Sequence, residues 1–136
     1  MGTLTEDPIN VERIISDLTE PAIGAVATFV GVVRNTSDDR KVQYLEYEAY
    51  PQMALAEMRQ ICAEVRDRWP TISRVVIVHR TGRLAVGQSA VVIALSSAHR
   101  REVFDALHYA IDRLKEIVPI WKKEVWEGGA EWKEET

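Results

Sequence analysis

Residues 89–124 read SAVVIALSSAHRREVFDALHYAIDRLKEIVPIWKKE, and this stretch decides the fold. Ser89 to Leu95 is a run of Val, Ile, Ala and Leu bounded by serines, which predicts a strand. Ser96 or Ser97 can cap the helix that follows, since a serine hydroxyl satisfies an orphan N–H at a helix start. Val103, Leu107, Ala110, Ile111, Leu114 and Val118 recur at helical spacing and form one apolar stripe. Pro119 stops the helix, because it brings no N–H and its ring clashes with the turn before it. Ile120 to Trp126 then predicts a second strand, with a turn at Gly128-Gly129 and a short return over Ala130 to Lys133.

Upstream the same reading gives a compatible set of elements. Val11 to Leu18 predicts a short helix with Asn10 as its N-cap. Ile23 to Val33 is a strand whose two faces are both apolar, so both are expected to be covered. Arg34 to Arg40 is polar and predicts a loop, followed by a strand over Lys41 to Ala49. Pro51 suits a helix start. Ala54, Met58, Ile61, Cys62, Val65 and Trp69 carry that helix to its stop at Pro70. Ile72 to His79 is a strand, and Gly82 and Gly87 punctuate a turn region. The order β-β-α-β-β-α-β predicts an α+β fold, with an antiparallel or mixed sheet and two main helices. No repeat or linker-like shift appears, so residues 1–136 are expected to be one domain, with 1–20 an N-terminal extension carrying the short helix.

Composition narrows the function. A hydrophobic fraction of 46% supplies a core and excludes global disorder. The net charge of -4 argues against nucleic acid as a partner, so basic residues here must act as a local patch for a small anion. One cysteine, Cys62, rules out an intrachain disulfide and a thiolate metal cluster, and its place in an apolar helical stripe makes it a core residue. The three histidines lack ligand spacing, so no metal is expected. Met1 to Asn10 lacks the apolar run of a signal peptide and no stretch is long enough for a membrane span, which together predict a cytoplasmic protein.

The basic residues are the candidates for chemistry, and each has a plainer alternative. Arg34 sits where an apolar strand gives way to a polar loop, a good base for a functional side chain or simply a surface arginine ending a strand. His99, Arg100 and Arg101 open a helix whose dipole favours acidic residues there, so either an anion belongs nearby or Glu102 and Asp105 neutralise them. At about 100° per residue, Lys115 falls on the shoulder of the apolar stripe. It either reaches a cleft, where a lysine can act as acid, base or nucleophile, or snorkels along the helix flank. Lys122 and Lys123 are adjacent on a strand, so only one can join Lys115. Trp121 and Trp126 read as core or as walls of a pocket for a flat ring, core being the plainer reading, and Tyr44, Tyr47 and Tyr50 read as structural. His79 and His108 stand alone.

Several segments, in order, resemble the large, catalytic subunit of molybdopterin synthases. They are Gly24-Ala25-Val26 and Thr28 through Asn35, Leu45 through Pro51 with Met53-Ala54, Val78 through Leu84, Ser96 through Arg100, and Leu114-Lys115 with Val118 through Glu124. The match runs from about Ile23 to Trp132. The resemblance implies an α/β-hammerhead-like fold and a sulfurtransferase without a cofactor. It further implies a homodimer within a heterotetramer. The partner is a small sulfur-carrier subunit whose Gly-Gly tail ends in a thiocarboxylate, and the acceptor is cyclic pyranopterin monophosphate. Carried over by motif, Lys115 and Lys122 match the catalytic lysines, and Arg34, His99 and Arg100 the substrate-binding basic residues. Val32, Val33, Lys123 and Glu124 fall in substrate-contacting segments, and Phe29 in the channel for the partner's tail. The sequence departs from the family at Asp38-Asp39, where a glycine is common, and it ends soon after Trp132, where longer relatives continue. A non-catalytic module that docks a ubiquitin-like tail and a small anion-binding regulatory domain are the competing readings. Retention of both lysines favours the enzyme.

Overall fold

The apolar run at 89–97 becomes the second-innermost strand of the fold's first sheet, and the rest of the chain is arranged around it. In a computed structural model, which describes residues 1–134, the elements are β1 (Gly2–Thr5), α1 (Val11–Leu18), β2 (Ala25–Val32), β3 (Thr36–Ser37), β4 (Arg40–Ala49) and α2 (Pro51–Arg68), then β5 (Ile72–Arg80), β6 (Gly82–Ala85), β7 (Ser89–Ser97), α3 (Val103–Ile117), β8 (Ile120–Trp126) and β9 (Gly129–Glu134). The last two residues of the domain expected over 1–136 lie outside the described residues.

The first sheet has the order β1-β5-β7-β2, with β1 parallel to β5 and the other pairs antiparallel. The second is antiparallel: β4 pairs with β8 along one edge and with β3 and β6 along the other, and β9 flanks β8. The fold is therefore α+β, with two main helices and the short α1. Helices α2 and α3 pack on the first sheet, α2 against β1 and β5 and α3 against β2 and β7. Met58, Ile61 and Val65 of α2 and Ala106, Ala110 and Leu114 of α3 meet Ile77, Ile93 and Leu95 in one core. Val42, Leu45, Leu84 and Ile120 extend that core into the second sheet. On β7, Val92 and Ala94 alternate with Ile93 and Leu95 and are also fully buried, with α1 and its buried Leu18 packed on this strand. Both faces of β7 are thus covered, which explains its unbroken apolar run.

Three expectations are corrected. First, β2 is an edge strand on which only Ala27 is buried, so its second apolar face is not covered within this chain. Second, α3 starts at Val103 with Glu102 in the cap position, not at Ser96 or Ser97. Ser97 Oγ instead donates to the Thr71 carbonyl and accepts the His99 amide, holding residues 98–102 as a turn ahead of the helix. Third, β1, β3 and β6 are strands in segments read as extension, loop and turn. Asn10 does cap α1, its side chain accepting the Arg13 amide at 3.0 Å. Gly24 is required by a close approach: a Cβ there would lie 2.3 Å from the Ala98 carbonyl oxygen.

Candidate active site

Four elements converge on one cavity of about 320 Å³, within the range of small-molecule sites. The end of β2 and the segment after it bring Phe29, Val32, Val33 and Arg34; β3 brings Thr36 and Ser37. The last turn of α3 brings Ile111, Leu114 and Lys115, and β8 brings Lys122 and Glu124. The floor is Val42, Leu45, Tyr47, His79 and Val91.

Local chain geometry explains why these side chains meet. Val33 is pinned beyond the strand end, its N–H donating to Gln88 O at 3.0 Å and its carbonyl accepting Gly87 N–H at 2.9 Å. That fixes Arg34, which is itself exposed, at the rim. At the other side Pro119 ends α3, and Ile120 N–H donates to Val118 O, so β8 starts after only Val118 and Pro119. Lys115 in the final turn of α3 and Lys122 on β8 are thereby set on one cavity. Lys115 is exposed rather than half-buried on the shoulder of α3, while its neighbours Ile111 and Leu114 reach inward. Period-two alternation then decides between the paired lysines. Ile120, Lys122 and Glu124 share the inner face; Lys123 lies on the other, its Nζ 5.8 Å above the Trp132 ring.

Among the described residues the cavity carries three cations, Arg34, Lys115 and Lys122, against one carboxylate, Glu124. Glu124 is only 5% exposed. Its Oε1 accepts the Ser37 hydroxyl at 2.9 Å and faces Lys133 Nζ at 3.0 Å, while Oε2 lies 3.8 Å from Lys122 Nζ. The positive excess suits an anionic ligand, and the apolar floor suits a flat, uncharged body attached to it.

His99 and Arg100 are elsewhere. They line a separate, open depression with Thr71, Arg101, Glu102 and Phe104. Along the antiparallel β2–β7 pair, Ser97 pairs with Ala25 and Ser89 with Val32. Eight steps at about 3.3 Å put the two ends about 26 Å apart. The five basic residues singled out in the sequence are therefore not one cluster within one chain.

The structure adds residues that the sequence reading passed over. His79 is fully buried, packs edge-on to Tyr47 with ring centroids 5.1 Å apart, and lines the cavity. Its Nδ1 lies 2.7 Å from the Arg80 carbonyl; a carbonyl only accepts, so this nitrogen bears the hydrogen. The signal was available, because Val75, Ile77 and His79 alternate on the core face of β5. Trp121 and Trp126 are not core: Trp121 is 40% exposed and Trp126 stacks under Arg40 at 4.3 Å. Tyr50 is exposed at the cap of α2, whereas Tyr47 is buried. Among the described residues no group of three or more His, Cys, Asp or Glu side chains is placed to hold a metal ion. No helix among the described residues is long and apolar enough to cross a membrane.

The family model described as MoaE protein matches residues 4–117. The chain belongs to the MoaE protein family. Among MoaE-family relatives, the molybdopterin synthase catalytic subunit of Halalkalibacterium halodurans is 48% identical over 129 residues, covering 95% of this chain and 82% of that one. A crystal structure of molybdopterin synthase from Staphylococcus aureus superposes with a TM-score of 0.91 at 45% identity, covering 96% of this chain and 94% of that one. A Helicobacter pylori structure, a protein–protein complex of subunits 1 and 2 of molybdopterin-converting factor, shares the MoaE-family fold with a TM-score of 0.80 at 20% identity, covering 98% of this chain and 90% of that one.

Proposed function

We propose that this chain is the catalytic subunit of a molybdopterin synthase. It makes two transfers, each moving one sulfur from the C-terminal thiocarboxylate of a small ubiquitin-like carrier subunit to cyclic pyranopterin monophosphate while water returns the carrier's acyl carbon to a carboxylate, and together they form the dithiolene of molybdopterin. The observation that carries the reading is the meeting of Lys115 and Lys122 with Arg34 around a single cavity, in a chain of this family. Both reactants are anions, and bringing them together needs fixed positive charge in a partly water-excluded site.

The division of roles follows from exposure. Phe29 and Val32 at the mouth form an apolar wall along which an extended Gly-Gly tail can lie. Lys115, exposed at the rim, meets the incoming thiocarboxylate first and exchanges protons as sulfur leaves the carrier's acyl carbon. Lys122, half-buried beside Glu124, stabilises charge deeper in the cavity. Val33 supports the wall beneath Arg34, whose guanidinium holds phosphate. Lys123 acts from the outer face of β8 and touches the substrate only if that face is covered.

His99 and Arg100 reach the Lys115 cavity only in a homodimer, where a second copy supplies them. The half-covered apolar edge strand β2 supports this arrangement, since an open edge is a template for association. With one carrier on each copy the assembly is a heterotetramer, working in the cytoplasm. The test is reconstitution: the purified chain, thiocarboxylated carrier and cyclic pyranopterin monophosphate are mixed, and dithiolene product is measured. Product formation is expected. A charged carrier that binds yet yields none would leave only a docking module.

A further inference from the structure

Lys122 and Lys133 are direct cross-strand partners on β8 and β9. Like charges placed opposite each other destabilise a ladder, so this pair needs a compensating group. Glu124 is that group. Its buried carboxylate gives Oε1 to Lys133 at 3.0 Å and leaves Oε2 to Lys122 at 3.8 Å. Lys133 does not line the cavity, yet it is the tighter partner of Glu124, the one carboxylate among the described lining residues. Its ammonium also pairs with Asp38, and Arg40 pairs with Glu131 at 3.3 Å, so β9 grips the turn that follows Arg34. Asp38 and Glu124 both hold the Lys133 ammonium in its charged form, raising its pKa.

We propose that Lys133 is a positioning residue: it occupies Glu124 so that the Lys122 ammonium stays directed into the cavity, and it ties the Arg34 turn to the same point. The reason is competition for one buried carboxylate. A carboxylate this deeply buried must be compensated. Remove the Lys133 charge, and Glu124 closes the 3.8 Å gap to Lys122 and draws its ammonium out of the substrate's path. This inference rests on the sulfur-transfer reading for its kinetic consequence but not for its structural one.

The test compares Lys133→Met and Lys133→Arg with wild type by two readouts. One is the rate at which a limiting amine-acylating reagent modifies Lys122 relative to Lys115 in the same molecule, resolved by peptide mass spectrometry. The other is the split between kcat and KM in the sulfur-transfer assay. Lys133→Met is expected to lower the Lys122-to-Lys115 labelling ratio about threefold, as an ammonium held by a close carboxylate is less reactive. It should lower kcat about tenfold at nearly constant KM, a typical consequence of a displaced catalytic group. Lys133→Arg should restore both. A folded Lys133→Met with an unchanged labelling ratio overturns the proposal, as does a changed ratio that Lys133→Arg fails to restore. Lys133→Gln serves the same comparison if Lys133→Met does not fold. The labelling ratio needs no turnover, so absence of dithiolene product would count against the function and not against this placement.

Discussion

Asp38 and Asp39 have φ of 50° and 63°, both in the left-handed region, and close a two-residue hairpin between β3 and β4. Two successive positive φ values make a type I′ turn, which favours Asn-Gly or Gly-Gly because L side chains crowd the following carbonyl there. The sequence shows two aspartates where glycine would be expected, and the structure gives a reason for keeping the first: Asp38 pairs with Lys133, which holds its carboxyl below the usual range. Asp39 takes no part in that pair. Asp39→Gly is therefore expected to stabilise the fold by about 1 kcal/mol, read as a higher urea midpoint at unchanged slope. A loss of stability would mean that the Asp39 side chain holds the turn in a way its backbone angles do not show. At this scale the sequence was informative about residue type and weak about place. The cavity's cations Arg34, Lys115 and Lys122 were all singled out, but Lys133 and Ser37 were not. Ser37 meets Glu124 across 87 residues, which no local pattern encodes, and Lys133 meets it across the β8–β9 turn, where the register of the return strand decides the contact.

Helices α2 and α3 are fastened by one side chain. Glu64 accepts Arg113 Nε at 2.9 Å and Nη2 at 3.0 Å, Tyr109 Oη at 2.6 Å and Gln60 Nε2 at 2.9 Å. Chiefly through Arg113, these donors lower the Glu64 pKa from its ordinary 4.5 to about 2. A carboxyl whose folded-state pKa is depressed contributes stability above its unfolded value and loses it as pH falls through the folded one. The clamp is thus fully present above about pH 4.5 and fades as pH falls toward 2. Because both partners are about a quarter exposed, Glu64→Gln should cost only about 1 kcal/mol at neutral pH. The gap to wild type should narrow below pH 4.5 and close near pH 2 in urea titrations. A gap independent of pH would show that packing, not charge, fastens the helices. Elements of this length, with apolar stripes and proline stops, were legible: α2 and β8 follow directly from period and punctuation, whereas β7 continues through Ser96 and Ser97 beyond the end predicted at Leu95. The short strands were not. β1, β3 and β6 have two to four residues each, and all three exist through pairing with distant strands. The start of α3 was misread because Ser97 offers a plausible cap while its hydroxyl is committed to Thr71 across the sheet.

Across the whole molecule, the decisive feature is the separation of two basic sites by the length of the β2–β7 ladder. The sequence presents His99 and Arg100 as part of one anion site with Lys115, and within one chain they are not. Folding alone cannot unite them, so the account requires a second copy, and subunit mixing tests it. Lys115→Ala and His99→Ala are each expected to be nearly inactive. Randomly reassorted, they should recover about a quarter of wild-type activity, since half the dimers are mixed and each mixed dimer holds one intact site. No recovery would place His99 in its own chain's site, and an active His99→Ala would place it outside the reaction. The most direct test of the central claim is a comparison of Lys115→Ala with wild type, measuring sulfur transfer and carrier affinity in the same preparation. The account predicts that dithiolene formation falls at least about a hundredfold while the carrier's Kd changes by no more than a few fold, as for loss of a proton-transfer group. Equal losses in turnover and binding, or undiminished dithiolene formation, would contradict a chemical role for Lys115 and with it the active site described here.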